Sequence, residues 1–277
     1  MVPNSSTLRS VLGFYALTLL ISWLAWAPLV LSKSGLGWLP FAVPMPWTVA
    51  GTLGPFLAAL LMWRREQGGV AAAVRRLLAA SPKALASAFA GALLVGGTFV
   101  VGTALILSQD APDGWQAGAV SLYGFHALTT LLGGPVFEEW GWRGFAQPRL
   151  QALYGPLPAA LIVGLGWGAW HLPLFFVPAW SSASLLFYLA MVTALSVLMS
   201  WGFNASGGWI VAAILMHFVY NASSRVLGGF LGDAQLRSWP DPVTAILLAF
   251  AAAALLLAAL TRARLGASKV ATSVLTP

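Results

Sequence analysis

The fold class is decided by residues 150–224, LQALYGPLPAALIVGLGWGAWHLPLFFVPAWSSASLLFYLAMVTALSVLMSWGFNASGGWIVAAILMHFVYNASS. These 75 residues contain no Asp, Glu, Lys or Arg, and their only histidines are His171 and His217. One helix that crosses a bilayer uses about 20 mainly apolar residues. This stretch alone therefore predicts at least three membrane spans.

The rest of the chain has the same apolar character. Of its 277 residues, 59% are hydrophobic and 8% are charged, whereas soluble domains average about 25% charged residues. Because backbone polar groups in lipid must be satisfied within the chain, the sequence predicts an all-α polytopic membrane helical bundle, with residues 1–277 as a single membrane-embedded domain. About eight transmembrane helices are expected, at about 11–31, 41–63, 84–108, 118–137, 157–178, 184–203, 207–228 and 242–261.

The basic residues predict the orientation of this bundle. The net charge of +7 does not indicate nucleic-acid binding, because the basic residues lie at the edges of apolar runs. With eight spans both termini lie on one side, and only Lys33, Arg225 and Arg237 fall on the other. The positive-inside rule then places both termini in the cytoplasm, with membrane lipids around the bundle. The basic residues on the side of the termini are Arg9, Arg64, Arg65, Arg75, Arg76, Lys83, Arg143, Arg149, Arg262, Arg264 and Lys269.

One short segment, EEWGWR at residues 138–143, places charge beside an apolar run. An ionised side chain inside a bilayer costs from about 2.5 to 17 kcal/mol, so such a segment is a functional-site hypothesis. If the helix continues through the segment, Arg143 lies one turn after Glu139 and can pair with it. Glu138 then points about 100° away and is the chemically available carboxylate. The alternative is a salt bridge that only anchors the helix end.

Two further segments place polar groups in apolar helices. His171 follows Trp167 by one turn in the fifth predicted span, and Trp167 is expected to shield and orient its imidazole. His217 and Asn221 are four residues apart and share a face of the seventh predicted span. In lipid these groups can satisfy one another only by converging, so we expect them to lie near Glu138.

This set of side chains is suited to peptide-bond hydrolysis. A carboxylate near a histidine can deprotonate water, with or without a metal, and a neighbouring histidine and amide can stabilise a tetrahedral oxyanion. A covalent acyl-enzyme is not expected, since the chain has no cysteine and no Gly-x-Ser-x-Gly segment. The His-Glu-x-x-His spacing is also absent, so a zinc ion would need ligands from separate helices, such as His171, His217 and Glu138.

Together the three segments resemble the motifs of the CAAX prenyl protease 2 and bacteriocin-processing family of intramembrane proteases, also called CPBP or Abi. The Glu-Glu-x-x-x-Arg motif begins at Glu138, and the Phe-x-x-x-His motif ends at His171, with Trp167 in the place of phenylalanine. The His-x-x-x-Asn motif begins at His217. The motif-bearing core covers about residues 120–230.

The resemblance implies an endopeptidase whose site lies within the bundle and opens toward the cytoplasmic side. It implies that Glu138 and His171 activate water, and that His217 and Asn221 hold the oxyanion or bind substrate or metal. The family is described both as metalloprotease and as metal-independent glutamate protease, so zinc stays an open alternative. The substrate would be a peptide or a membrane-associated protein, and the compact chain resembles bacterial members, which places it in a bacterial cytoplasmic membrane. Supporting roles are implied for Glu139, Arg143 and Trp167.

Two other classes of function stay open at the level of sequence. Buried glutamate and histidine residues also form relays in small transporters and proton-coupled channels. The lack of a convincing internal repeat argues against a secondary transporter. The third class is a non-catalytic membrane scaffold or bacteriocin-immunity protein, which keeps the same residues for packing.

Overall fold

The computed structural model describes residues 5–66, 68–107, 123–181, 183–230 and 242–267. Within these ranges every regular element is helical, and the protein is a polytopic helical bundle. The α-helices are α1 (Ser5–Leu31), α2 (Thr48–Trp63), α3 (Gly69–Leu77), α4 (Pro82–Leu107), α5 (Tyr123–Leu132), α6 (Pro135–Glu139), α7 (Gln147–Tyr154), α8 (Pro156–Trp170), α9 (Leu185–Ala205), α10 (Ile210–Phe230) and α11 (Pro242–Leu260).

Six segments among the described residues are long and apolar enough to cross a membrane. They correspond to six of the eight predicted spans, and α10, which has 21 residues, corresponds to the seventh. The six are Ser5–Leu31, Met45–Trp63, Pro82–Ala104, Pro156–Phe176, Leu185–Ala205 and Val243–Leu260.

The prediction of one continuous helix over about 118–137 is wrong where the structure describes it. Residues 118–122 lie outside the described residues, and α5 has only 10 residues. Gly133 and Gly134 separate α5 from α6, which starts with Pro135 in its first turn. Glycine weakens a helix interior and proline favours the first turn, so the sequence itself places a break here.

The segment that carries the acidic pair continues as helix well beyond the pair. Between α6 and α7 lies a π-helical turn, Trp140–Ala146. Helix α2 packs against α6 and against this turn, and α10 contacts both from another direction. The acidic pair is therefore held inside the bundle rather than at its rim.

The remaining long helices surround this centre. Helix α1 packs on α2, α8 packs on α9, and α4 packs on α9, α10 and α11. Helix α3 is amphipathic: Ala73 and Leu77 are buried, whereas Arg75 and Arg76 are exposed. Its buried side lies against the π-helical turn, because a Cβ on Gly144 would be 3.0 Å from Leu77 Cδ1.

Candidate active site

Glu139 and Arg143 form a buried ion pair across the π-helical turn. Arg143 Nη1 lies 3.0 Å from Glu139 Oε2, and both side chains are fully buried. The predicted pairing of these two residues is confirmed. Arg143 is one of the basic residues that the positive-inside rule assigns to the cytoplasmic side. Because it is buried in the core, it does not contribute to the charge of the protein surface.

The turn that holds this pair fits its surroundings closely. A Cβ on Gly141 would lie 2.6 Å from the carbonyl oxygen of Pro55 on α2, so only glycine allows the two backbones to approach so closely. Turns of π-helix are rare and occur frequently at functional sites. The local sequence therefore permits a close contact that holds Glu139 and Arg143 against α2.

Glu138 is also buried, with 3% of its surface exposed, but it has a different partner. Its Oε2 accepts a hydrogen bond of 2.7 Å from the indole Nε1 of Trp167 on α8. No described salt bridge involves Glu138. The two adjacent carboxylates are thus in different environments, one ion-paired and one held by a neutral donor.

His217 of α10 is joined to the ion-paired carboxylate. Its Nδ1 lies 2.7 Å from Glu139 Oε1, and its ring meets the Trp167 ring edge to face at 4.9 Å. Because Glu139 is paired with Arg143, its carboxylate accepts and Nδ1 donates. This fixes the orientation of the imidazole and leaves Nε2 as the nitrogen available to a bound molecule.

His171 lies at the C-terminal end of α8 rather than inside the helix, which corrects the prediction for this residue. A short 3-10 segment, Leu172–Phe176, follows it, since Pro173 has no N–H with which to continue the α-helix. His171 Nδ1 is 3.0 Å from the backbone oxygen of Trp167. A carbonyl oxygen only accepts, so Nδ1 carries the proton and Nε2 carries the lone pair.

Aromatic side chains enclose the His171 ring. Trp180 stacks on it at 5.3 Å with an interplanar angle of 25°, and Tyr188 of α9 meets it edge to face at 5.3 Å. The exposed fraction of His171 is 9%. The imidazole of His171 is thereby kept in a largely apolar environment.

Trp167 connects these groups to one another. In addition to its contacts with Glu138 and His217, its ring lies under the Arg143 guanidinium, with 4.7 Å between Cζ and the ring centroid. His171 is bonded to the backbone carbonyl of Trp167 and not to its indole, so this bond does not test the expectation that the Trp167 side chain orients His171. No described hydrogen bond joins Glu138 to His171 directly, so Trp167 is their common partner.

Asn221 and Gly134 complete the cluster on the other side of Glu138. A Cβ on Gly134 would lie 2.8 Å from Glu138 Oε1 and 3.9 Å from Asn221 Nδ2, so this glycine separates the carboxylate from the amide. Gly134 was not among the predicted site residues. The signal that could have identified it is the Gly133-Gly134-Pro135 break just before the acidic pair.

Comparison with known proteins finds a match over the part of the chain that contains these residues. Residues 120–223 match the family of Rce1-like type II CAAX prenyl endopeptidases. This part of the chain is similar to that family. A relative named CAAX prenyl protease 2, from Methanococcus maripaludis, is 31% identical over 111 residues, which cover 36% of this chain and 40% of that protein. The chain therefore spans about two-fifths of the length of the curated relative it matches.

The matched segment does not present the predicted zinc ligands as a set. The described residues contain no group of three or more His, Asp and Glu side chains in position to hold a metal ion. Of the suggested ligands, His217 is bound through Nδ1 to Glu139, and Glu138 is bound to an indole N–H. This arrangement does not fit a three-ligand zinc site.

Proposed function

We propose that this protein is a membrane-embedded endopeptidase in which Glu138 and His171 activate a water molecule. The observation that carries the proposal is the unequal environment of the two carboxylates: Glu139 is neutralised by Arg143, whereas Glu138 is buried with a single neutral donor from Trp167. A buried carboxylate without a cationic partner is costly, and a general base explains why it is kept. The Rce1-like match over residues 120–223 supports the same class of activity.

The reaction begins with one proton transfer and one bond formation. Glu138 takes a proton from water while the Nε2 lone pair of His171 holds the same water molecule. The resulting hydroxide attacks the peptide carbonyl carbon, and the C–O bond forms as the carbonyl π electrons move onto oxygen. The oxyanion electrons then re-form the carbonyl as the C–N bond breaks, and Glu138 gives its proton to the leaving amine.

The oxyanion that forms in this reaction must be stabilised by hydrogen-bond donors. Asn221 Nδ2 donates to it, and His217 Nε2 donates when it carries a proton. Glu139 holds His217 through Nδ1, and Arg143 neutralises Glu139, so the pair positions the histidine without touching substrate. No step in this scheme passes through a metal ion.

The proposal includes an orientation and a class of substrate. The excess of basic residues on the side of the termini supports a protein with both termini in the cytoplasm. The resemblance of the compact chain to bacterial members supports a bacterial membrane. Tags at the two termini should both be reached by protease only after the membrane is opened. The substrate is a peptide bond in a peptide or in a membrane-associated protein.

A purified-protein assay with peptide libraries tests the chemistry. Glu138→Gln and His171→Ala should each lower kcat by about 10²- to 10⁴-fold, the usual contribution of acid–base groups. Glu66→Gln, the same change in a partly exposed loop residue, is the matched control and should keep parent activity. Undiminished cleavage by both site variants would contradict the assigned roles.

A further inference from the structure

The segment that joins α2 to α4 carries a dense set of positive charges. Residues 64–83 contain four arginines and one lysine, against a single acidic residue, Glu66. Glu66 is paired with Arg149 of α7. No salt bridge among the described residues involves the other charged side chains of this segment. These exposed basic residues are Arg64, Arg65, Arg75, Arg76 and Lys83.

Helix α3, in the middle of this segment, is fixed to the bundle by one side. The chain reverses at Gly68 and Gly69, which have φ values of +80° and +57°, a conformation that glycine adopts readily. The reversal brings α3 against α2. Leu77 is 1% exposed, and its Cδ1 is 3.0 Å from the position that a Cβ on Gly144 would take. Helix α3 therefore packs on the π-helical turn while its arginines stay outside.

The positive charges of this region also act on one another. Burial lowers the pKa of Arg149, its pairing with Glu66 raises it, and the positive charge of Arg76 lowers it again. Arg76 is therefore close enough to Arg149 for the two charges to repel. A bound anion would relieve this repulsion.

Exposed apolar side chains show the depth at which these charges lie in the membrane. Leu61 is 39% exposed and comes three residues before Arg64, and Leu85 is 57% exposed and comes two residues after Lys83. Leu78, 46% exposed, directly follows α3. Side chains suited to hydrocarbon thus reach to within about one helical turn of the charges. The arginines therefore lie at the level of the lipid headgroups.

Charge and depth together identify a ligand for this surface. We propose that Arg64, Arg65, Arg75 and Arg76, which we call the α2/α3 arginine patch, bind the headgroups of anionic phospholipids. The positive-inside rule places the patch on the cytoplasmic leaflet, whose surface is negatively charged. Because α3 packs on the π-helical turn through Leu77, a bound lipid also restrains the turn that carries Arg143. This inference goes beyond the proposed function and does not depend on proteolysis.

Native mass spectrometry of the full chain in detergent measures the binding. The protein is titrated with phosphatidylglycerol or with phosphatidylcholine that has the same acyl chains. The parent should bind phosphatidylglycerol about 30-fold more tightly, since two arginines beside an anionic surface contribute about fivefold each. Arg75→Gln combined with Arg76→Gln should lose most of this preference, whereas Arg75→Lys combined with Arg76→Lys should keep it, because the charge is retained.

A second pair of exposed arginines supplies the matched control. Arg262→Gln combined with Arg264→Gln removes the same charge just after α11 and should keep the preference. Equal losses in the two glutamine pairs would show general attraction to a positive protein and would overturn the patch. A parent without any preference would show that the segment is only solvated. Displacement of the lipid by inorganic phosphate would make this a free-phosphate site and overturn the lipid assignment.

Hydrogen exchange in lipid nanodiscs tests the link to the π-helical turn. Backbone amides of α3 and of Trp140–Ala146 should exchange several-fold more slowly in phosphatidylglycerol than in phosphatidylcholine. This difference should disappear when Arg75→Gln and Arg76→Gln are combined. Slower exchange in α3 alone would keep the lipid site and overturn the link to the turn, and unchanged exchange in both segments would also overturn the link.

Discussion

Replacing Trp167 with phenylalanine removes one hydrogen bond and keeps most of the surrounding packing. The indole Nε1 donates to Glu138 Oε2 at 2.7 Å, and a phenyl ring has no donor. The phenyl ring can still lie under Arg143 and against His217, so the substitution mainly affects the Glu138 carboxylate. Phenylalanine is also the residue that the motif usually has at this position.

The expected loss follows from the energy of that bond. A hydrogen bond to a charged group contributes about 1.5–3 kcal/mol, and each 1.4 kcal/mol is a factor of ten in rate. If Glu138 acts as the base, Trp167→Phe should lower kcat/KM by roughly 10- to 150-fold. Most of the loss should be in kcat, because the bond orients the base and does not bind the substrate.

The assay is steady-state cleavage of a fluorescent peptide by the purified protein, and Trp142→Phe is the matched control. Trp142 is fully buried, and its indole N–H has no partner among the described residues. Both variants lose the same atoms from a packed interior, so the cost in packing should be similar, and only Trp167→Phe also loses a hydrogen bond. If the two variants keep the same kcat, Trp167 does not position Glu138, and the reasoning fails.

Other predictions concern the cluster around the two carboxylates. Gly134→Ala should abolish most activity, because its Cβ would come within 2.8 Å of Glu138 Oε1; parent-level turnover would show that the carboxylate can move aside without loss. Glu139→Gln leaves Arg143 as a buried unpaired cation and should destabilise the fold by about 3–5 kcal/mol in detergent denaturation, with partial recovery when Arg143→Met is added. If the variant with both Glu139→Gln and Arg143→Met is no more stable than Glu139→Gln alone, the unpaired Arg143 charge does not explain the loss of stability. Prolonged dialysis against a chelator should leave kcat within about twofold, since the described side chains form no three-ligand set; activity lost on chelation and restored by zinc would refute the metal-free scheme.

The sequence predicts the fold class because the bilayer imposes a simple rule. A run of apolar residues must be helical, and its length must match the membrane, so seven of the eight predicted spans correspond to observed helices. Pairing of Glu139 with Arg143 was also predictable, because residues four apart on a helix are neighbours. The spans and this ion pair depend on residues that are close in the sequence, so hydropathy and residue spacing are enough to predict them.

The contacts that distinguish Glu138 from Glu139 depend on tertiary packing, which cannot be predicted from the spacing of residues in the sequence. The bond from Trp167 joins residues 29 positions apart, and nothing in the motif indicates that the indole N–H faces a carboxylate. The break at Gly134 divides a run that hydropathy alone treats as continuous. His171 lies beyond the last turn of α8, although the apolar run continues past it.

Trp167 also has a mechanical consequence for the site. Its side chain holds Glu138 and its backbone holds His171, so a small shift of α8 moves the supports of both proposed water-activating groups together. Any change that tilts this one helix, from a nearby substitution or from a different bilayer thickness, would therefore change the rate of the whole reaction at once. In this protein, one helix supports both Glu138 and His171.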